Sequence, residues 1–219
     1  MGNINAVVHL EHLEGGQIAL IGMDNPPVNA LGHALRSGLA AALGQARADR
    51  AVKAVILIGT ERAFSAGADI SEFGKPRQAP GLIDIIDLLD AMEKPVIAAL
   101  SGQALGGGCE LALGCHYRVA APGARIGLPE VKLGLLPGAG GTQRLPRLAG
   151  VERAVHIIVS GDPVAAEQAL HDGIIDAVLR GRFARKRWPS RAASSRRQSR
   201  CGGSATLMRS SPPPRPTPS

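Results

Sequence analysis

Three consecutive glycines followed by a glutamate, in residues 105–114 (LGGGCELALG), constrain the fold of this chain more than any other stretch. The run comes after an apolar segment at residues 96–100 that has the character of a buried strand. Missing Cβ atoms at glycines allow a sharp turn and let backbone N–H groups approach a bound group. The stretch therefore predicts a strand-to-helix turn, with Glu110 in the first turn of a helix whose start points at negative charge.

A second carboxylate, Glu130, follows twenty positions after Glu110. If it returns on a loop beside the helix start, two carboxyl groups flank one reacting centre near N–H donors. That combination is typical of acid/base catalysis with an oxyanion hole. The structural alternative is that the glycines only allow close helix packing and that both glutamates are solvated.

Length and apolar content indicate one main domain. With 219 residues, of which 45% are hydrophobic, the chain can bury one sizeable core. No apolar run approaches the roughly 20 residues of a membrane span, and no basic region followed by an apolar one begins the chain. These features predict a cytoplasmic or matrix-type location without a membrane partner.

The cysteines carry little functional signal. Cys109, Cys115 and Cys201 are too few and too unevenly spaced for a disulfide framework. The first two, with His116, suggest zinc, but no C-x-x-C pair or fourth ligand is visible. We therefore expect reduced, buried small residues and no metal site.

Positive charge is concentrated in residues 181–219, which hold ten Lys or Arg and no Asp or Glu. The remaining fifteen basic and eighteen acidic residues give residues 1–180 a net charge of about −3, although the whole chain is +7. Arg, Ser and Pro dominate this tail, which predicts disorder. The composition suggests a coding sequence read out of frame, and the alternative is a genuine basic tail that binds nucleic acid or anionic lipid non-specifically.

Segments of strand and helix character alternate along residues 6–178, which predicts an α/β fold. The expected strands lie at residues 6–10, 17–23, 52–58, 117–121, 124–127 and 174–178, the first two as a hairpin around residues 14–16. The expected helices lie at residues 31–48, 82–92, 143–149, 151–160 and 163–171. Between them, loops of small residues at 61–70 and 133–142 let the backbone approach a ligand, and Asp69 is expected to cap a short helix.

These motifs together resemble the crotonase (enoyl-CoA hydratase/isomerase) family over residues 25–179. The strongest matches are residues 63–70 (AFSAGADI), the triple-glycine stretch within residues 94–120, residues 127–131 (GLPEV) and residues 136–145 (LPGAGGTQRL). Residues 25–31 (NPPVNAL) and 114–118 (GCHYR) are most similar to the N-terminal hydratase part of bifunctional hydratase/3-hydroxyacyl-CoA dehydrogenases.

The resemblance implies a crotonase-type spiral of β-β-α turns in residues 1–180 and an acyl-CoA thioester substrate. It places the oxyanion hole at the backbone N–H groups of Ala68 and Gly107. Glu130 then delivers a proton and Glu110 activates water. The implied substrate and CoA-binding residues are Val28, Ala66, Gly67, Asp69, Ile70, Gly106, Pro129 and Gly138, the last of which helps to hold the water.

The implied reaction is hydration of a 2-enoyl-CoA in fatty-acid β-oxidation, with double-bond isomerisation left open as a second activity. No cofactor is expected, because coenzyme A is part of the substrate and NAD would need a dehydrogenase domain. A homotrimer is the assembly that the resemblance implies. Family members continue past the equivalent of Leu179 with helices that close the CoA site and build the trimer, so we expect this chain to be a weak or inactive hydratase with impaired assembly.

Three rival functions remain open from the sequence. A phosphate-binding loop is disfavoured, since no Gly-Lys-Ser/Thr follows the glycines. A serine hydrolase built on Ser65 or Ser101 lacks the G-x-S-x-G pattern. A non-catalytic CoA-binding or scaffold protein is favoured by the unusual tail and disfavoured by the presence of both glutamates.

Overall fold

The computed structural model describes residues 2–180, and the tail predicted at 181–219 lies outside the described residues. The strands are β1 Gly2–Asn3, β2 Val8–Leu13, β3 Ile18–Met23, β4 Ala54–Ile58, β5 Ala63–Ser65, β6 Val96–Leu100, β7 Gln103–Leu105, β8 Tyr117–Ala120, β9 Arg125–Gly127, β10 Val164–Ala165 and β11 Ala177–Val178. The helices are α1 His33–Ala48, α2 Leu82–Asp90, α3 Gly107–Gly114, α4 Gly141–Ala149, α5 Val151–Ser160 and α6 Ala166–His171. Short 3-10 turns lie at Glu14–Gly16, Ile70–Glu72 and Pro129–Leu133. The predicted α/β class is confirmed.

The larger sheet has seven strands in the order β1-β2-β3-β4-β6-β8-β11. β1 to β3 pair antiparallel, so the predicted hairpin is the β2–β3 pair. From β3 to β11 the neighbours are parallel. Parallel neighbours need a crossover, and α1 lies in the crossover between β3 and β4.

Helix α1 contributes much of the core that covers this sheet. Leu35, Leu39 and Leu43 are fully buried, and their spacing of four residues places them on one face of the helix. The helix begins at His33 instead of the predicted residue 31. Gly32 precedes it with an extended backbone, at φ −70° and ψ 172°, and therefore stands as the N-cap outside the helix.

The smaller sheet has the order β10-β9-β7-β5, in which β5, β7 and β9 are parallel. The carboxyl ends of parallel strands meet at one edge of a sheet, where α/β proteins bind ligands. Residues 66–70 follow β5, residues 106–110 follow β7 and residues 128–130 follow β9. Three short strands thus bring the predicted site segments to one edge.

Two predicted elements near the end of the described range are shorter than expected. The helix predicted at 163–171 begins at Ala166, because Val164 and Ala165 pair with β9. The strand predicted at 174–178 is limited to β11, because the amides of Ile174 and Ile175 bond to the Ala169 carbonyl at the end of α6. β8 and β9, although close in sequence, lie in different sheets.

One apolar face of α5 is exposed. Val151, Val155 and Val159 recur every four residues, and each exposes at least half of its surface. We refer to these three residues as the α5 valine stripe. Contiguous exposed apolar patches on a folded domain favour association.

Candidate active site

The N–H groups of Ala68 and Gly107 lie close together where the loops after β5 and β7 meet. A Cβ added to Gly107 would lie 3.7 Å from the Ala68 nitrogen, and one added to Gly67 would lie 3.4 Å from the Gly107 nitrogen. Within residues 2–180, neither amide donates a hydrogen bond to another group. Gly107 is the first residue of α3, where helix geometry leaves the amide without an internal acceptor. Both donors are therefore available to a ligand oxygen.

Gly106 makes the turn from β7 into α3 possible. Its φ of 52° lies in the left-handed region that favours glycine. A Cβ at this position would lie 3.4 Å from Oε1 of Glu130. The glycine therefore allows both the sharp turn and the close approach of the Glu130 carboxyl group.

Glu110 is held inside the protein by backbone donors. Its residue surface is only 3% exposed. Oε1 accepts hydrogen bonds from the amides of Ala139 at 2.7 Å and Gly141 at 2.9 Å. The alternative that both glutamates are solvated is therefore wrong for Glu110, and the start of α4 fixes its position.

Glu130 lies half-buried in the 3-10 turn after β9. Its Oε2 is buried and has no hydrogen-bond partner among the described residues. Burial raises the pKa of Glu130, and the nearby charge of Glu110 adds to the increase, against a hydrogen bond from the Glu130 backbone. The site therefore holds one carboxyl group bonded to two amides and a second whose pKa is raised by burial.

The loop after β5 is fixed on both sides by backbone hydrogen bonds. The amide of Ala66 donates to the carbonyl of Val28 at 3.0 Å, which places Val28 beside the loop as expected. The Gly67 carbonyl accepts from the amide of Leu31 at 2.8 Å. Gly67 itself has a φ of 107° and approaches the Leu105 carbonyl too closely for a side chain.

Asp69 caps the 3-10 turn that follows. Its Oδ1 accepts from the amide of Ser71 at 2.9 Å, so the predicted capping role is confirmed. Hydrogen bonds from the side chain and the backbone of Ser71 lower the pKa of Asp69. Ile70 beside it is largely exposed.

Pro129 and Gly138 lie on the segments that carry Glu130 and the donors to Glu110. Pro129 is the first residue of the 3-10 turn that contains Glu130. Gly138 is exposed, one residue before Ala139. Every residue predicted for the site thus lies on one of four segments: the turn before α1, the loop after β5, the start of α3, or the loops between β9 and α4.

The two candidate serines and both cysteines of residues 2–180 are buried and have structural roles. The Ser65 hydroxyl donates to the Asn29 carbonyl at 2.7 Å, and the Ser101 hydroxyl donates to the Thr60 carbonyl at 2.7 Å. Both are buried, which contradicts a nucleophilic serine. Cys109 and Cys115 are free and buried, and burial raises the pKa of the Cys115 thiol to about 12.

The sequence did not reveal two groups that shape this site. Ala139 acts through its amide, and a backbone group leaves no side-chain signal. Arg36 is a buried cation in α1 that bonds to the segment before α2. The sequence does contain one hint of its burial, because Arg36 directly follows Leu35 on a helix whose core face is otherwise apolar.

A sequence profile of the enoyl-CoA hydratase/isomerase family matches residues 14–200. The chain belongs to the enoyl-CoA hydratase/isomerase family. It is similar to the peroxisomal bifunctional enzyme of Danio rerio, at 52% identity over 161 residues that make up 74% of this chain and 22% of that protein. It is also similar to a probable enoyl-CoA hydratase of Bacillus subtilis, at 42% identity over 165 residues, or 72% of this chain and 64% of that protein.

A crystal structure of enoyl-CoA hydratase from Bacillus anthracis matches the fold with a TM-score of 0.74 and 36% identity, over 79% of this chain and 70% of that one. The predicted crotonase fold and the similarity to bifunctional enzymes are confirmed. The chain spans less than a quarter of the Danio rerio relative's length. Among the described residues, none of the helices has the length and apolar content that crossing a membrane requires, and no three side chains are grouped to hold a metal.

Proposed function

We propose that this chain adds water across the 2,3 double bond of a 2-enoyl-CoA thioester. The observation that carries the proposal is the pair of differently held carboxyl groups, Glu110 and Glu130, beside the free amides of Ala68 and Gly107. The family match and the similarity to proteins named enoyl-CoA hydratase support it.

In the proposed reaction, the thioester oxygen accepts hydrogen bonds from Ala68 and Gly107. Glu110 takes a proton from water as the oxygen of that water bonds to Cβ, and the π electrons move towards the thioester oxygen. Removing one donor from the oxyanion hole of a serine protease costs about 3 to 4 kcal/mol, which indicates the scale of such an interaction. The enolate is therefore the species that the amide pair stabilises.

Glu130 then gives a proton to Cα, which completes the addition of water. Its raised pKa supports this role, because an acid catalyst must hold its proton until the carbon needs it. Transfer of a proton from Glu110 back to Glu130, through solvent, restores the starting state. The loop residues Val28, Ala66, Gly67, Asp69 and Ile70 would bind coenzyme A.

Three further parts of the proposal concern substrate positioning and cofactors. Gly106 and Pro129 would line the acyl site, and Gly138 would help to place the water. Hydration changes no net oxidation state, so we propose that the reaction uses no redox cofactor. Coenzyme A enters as part of the substrate. Double-bond isomerisation is a second reaction to assay, since it would pass through a dienolate whose thioester oxygen the same amide pair could bind.

Impaired assembly, relative to the homotrimer that the resemblance implies for the intact family, and a cytoplasmic location remain predictions. Light scattering and cell fractionation test them respectively. A domain boundary at residue 180, with a basic tail beyond it, is also proposed, and limited proteolysis with mass spectrometry of the fragments tests it.

The decisive assay follows loss of the conjugated enoyl absorbance when a short 2-enoyl-CoA is added to the protein. The double variant Glu110→Gln/Glu130→Gln is the matched control. The proposal is supported if the parent hydrates the thioester and the double variant does not. Binding of the thioester with no turnover by the parent would instead favour the CoA-binding scaffold.

A further inference from the structure

Arg36 connects three separate parts of the chain from a nearly buried position in α1. Its side chain is only 9% exposed. Its guanidinium donates to the carbonyls of Leu31 at 2.6 Å, Pro80 at 2.7 Å and Gln78 at 3.2 Å, and to Oε2 of Glu72 at 2.8 Å. A planar guanidinium with several fixed donors suits such a junction, because each acceptor must occupy its own direction.

Glu72 completes the same junction from the loop side. Its Oε1 accepts from the amide of His33 at 2.6 Å, the first amide of α1, where Gly32 offers no capping side chain. Burial opposes ionisation of Glu72, but the hydrogen bonds from Arg36 and His33 outweigh it and lower its pKa. The segment at residues 70–80 is thereby tied to the beginning of α1.

The junction reaches the Ala68 amide through Leu31 and the peptide group between Gly67 and Ala68. The Leu31 carbonyl accepts from Arg36, and the Leu31 amide donates to the Gly67 carbonyl at 2.8 Å. The Gly67 carbonyl and the Ala68 N–H belong to the same planar peptide unit. Fixing the carbonyl therefore fixes the direction in which the Ala68 N–H points.

We infer that Arg36 is a positioning residue for the oxyanion donor at Ala68. The inference rests on the proposed function, in which that N–H binds the thioester oxygen. Arg36 holds Leu31 on one side of Ala68 and Glu72 on the other, so the peptide is anchored before and after the donor. Arg36 does not itself contact the substrate.

The test uses the full chain and a para-dialkylaminocinnamoyl thioester of coenzyme A. The absorption of such a conjugated thioester moves to longer wavelength when its carbonyl oxygen accepts hydrogen bonds. We expect Arg36→Met to lose most of this shift and to lower kcat about 10- to 100-fold with KM changed less than about threefold, since small misplacements cost rates of this order. Arg36→Lys should restore part of both signals, because it keeps the charge.

Arg153→Met is the matched control, since Arg153 also pairs with a carboxylate, Asp172 at 2.6 Å, but lies on α5. It should keep the spectral shift of the parent. If Arg36→Met does not fold, Arg36→Lys and Glu72→Ala decide the matter. Variants that fold with the parent's shift and kcat, or that change only KM, overturn the inference.

The same experiment distinguishes a failure of the proposed function from a failure of the positioning role of Arg36. If the parent neither shifts the chromophore nor hydrates a 2-enoyl-CoA, the oxyanion site itself is wrong. If the parent shifts it and folded Arg36 variants do so equally, only the positioning role is wrong. The spectral signal needs no turnover, so a slow parent enzyme still gives an answer.

Discussion

Replacing Glu110 separates the catalytic role of its carboxylate from its structural role. In Glu110→Gln, the amide oxygen can keep both hydrogen bonds from Ala139 and Gly141, but the side chain can no longer take a proton. In Glu110→Ala, both buried amides lose their acceptor. The two variants should therefore be equally inactive and differ in stability.

The magnitudes follow from those two bonds. A hydrogen bond to a charged group contributes about 1.5 to 3 kcal/mol and a neutral one about 0.5 to 1.5 kcal/mol, so the glutamine variant with two such bonds should lose at most about 3 kcal/mol. Relief of a buried charge makes that an upper limit. Each unsatisfied amide costs about 1 to 3 kcal/mol, so the alanine variant should lose about 4 kcal/mol. Loss of a positioned base lowers kcat on the order of 100- to 10,000-fold in both.

Urea unfolding gives the stabilities, and the hydration assay gives kcat. Glu130→Gln is the matched control, since the Oε2 of Glu130 has no partner among the described residues and the carboxyl group is not held by amides from another segment. Hydration by Glu110→Gln at near the parent's rate would refute the two-glutamate mechanism. Equal stability of the Gln and Ala variants would refute the idea that the amides of Ala139 and Gly141 hold the carboxylate.

Three other perturbations test neighbouring features. Gly107→Val would place Cβ 2.9 Å from Leu82, so we expect turnover to fall more than coenzyme A affinity; equal losses of kcat and of affinity, measured by calorimetry, would indicate a collapsed loop. Because the pKa of Glu130 is raised, the folded protein binds the carboxyl proton more tightly than the unfolded chain does. The parent should therefore lose stability relative to Glu130→Gln as the pH rises from the pKa of an unfolded glutamate, about 4.3, to the pKa in the folded protein. Thermal unfolding of both proteins across this pH range checks this, and a stability difference that does not change with pH contradicts it. Changing the α5 valine stripe to glutamine should reduce self-association in light scattering, and an unchanged mass would show that this face is not in contact.

The sequence predicted the elements that carry strong local signals. α1 and α3 were recognisable because a leucine repeat and a glycine run each act within a few residues. In the smaller sheet, the strand predicted at residues 124–127 is β9, but β5 and β7 were not predicted, since each has only three residues and their pairing joins segments far apart in sequence. Short strands carry too little periodicity to identify a partner, and β10 was read as helix for the same reason.

The candidate site residues could be proposed from the sequence, but the groups that hold them in place could not. Glu110 and Glu130 stood out as carboxylates near glycines, and the resemblance assigned their roles. What holds them comes from backbone groups, such as the Ala139 amide, or from a junction such as Arg36 with Glu72. Those depend on which loops meet in space, and a single sequence does not state that.

The two glutamates differ chemically because glycines shape their surroundings differently. At Glu110, Gly141 leaves its amide free to donate, and a Cβ there would lie 3.1 Å from Oε1. At Glu130, Gly106 lets the carboxyl group approach a turn without supplying a donor to Oε2. One carboxyl group therefore accepts hydrogen bonds from two amides of another segment, and the other is half-buried with one oxygen that lacks a partner among the described residues, which is the asymmetry that an acid and a base need. A side chain at Gly141 should therefore displace the Glu110 carboxyl group, whereas one at Gly106 would also strain the turn into α3.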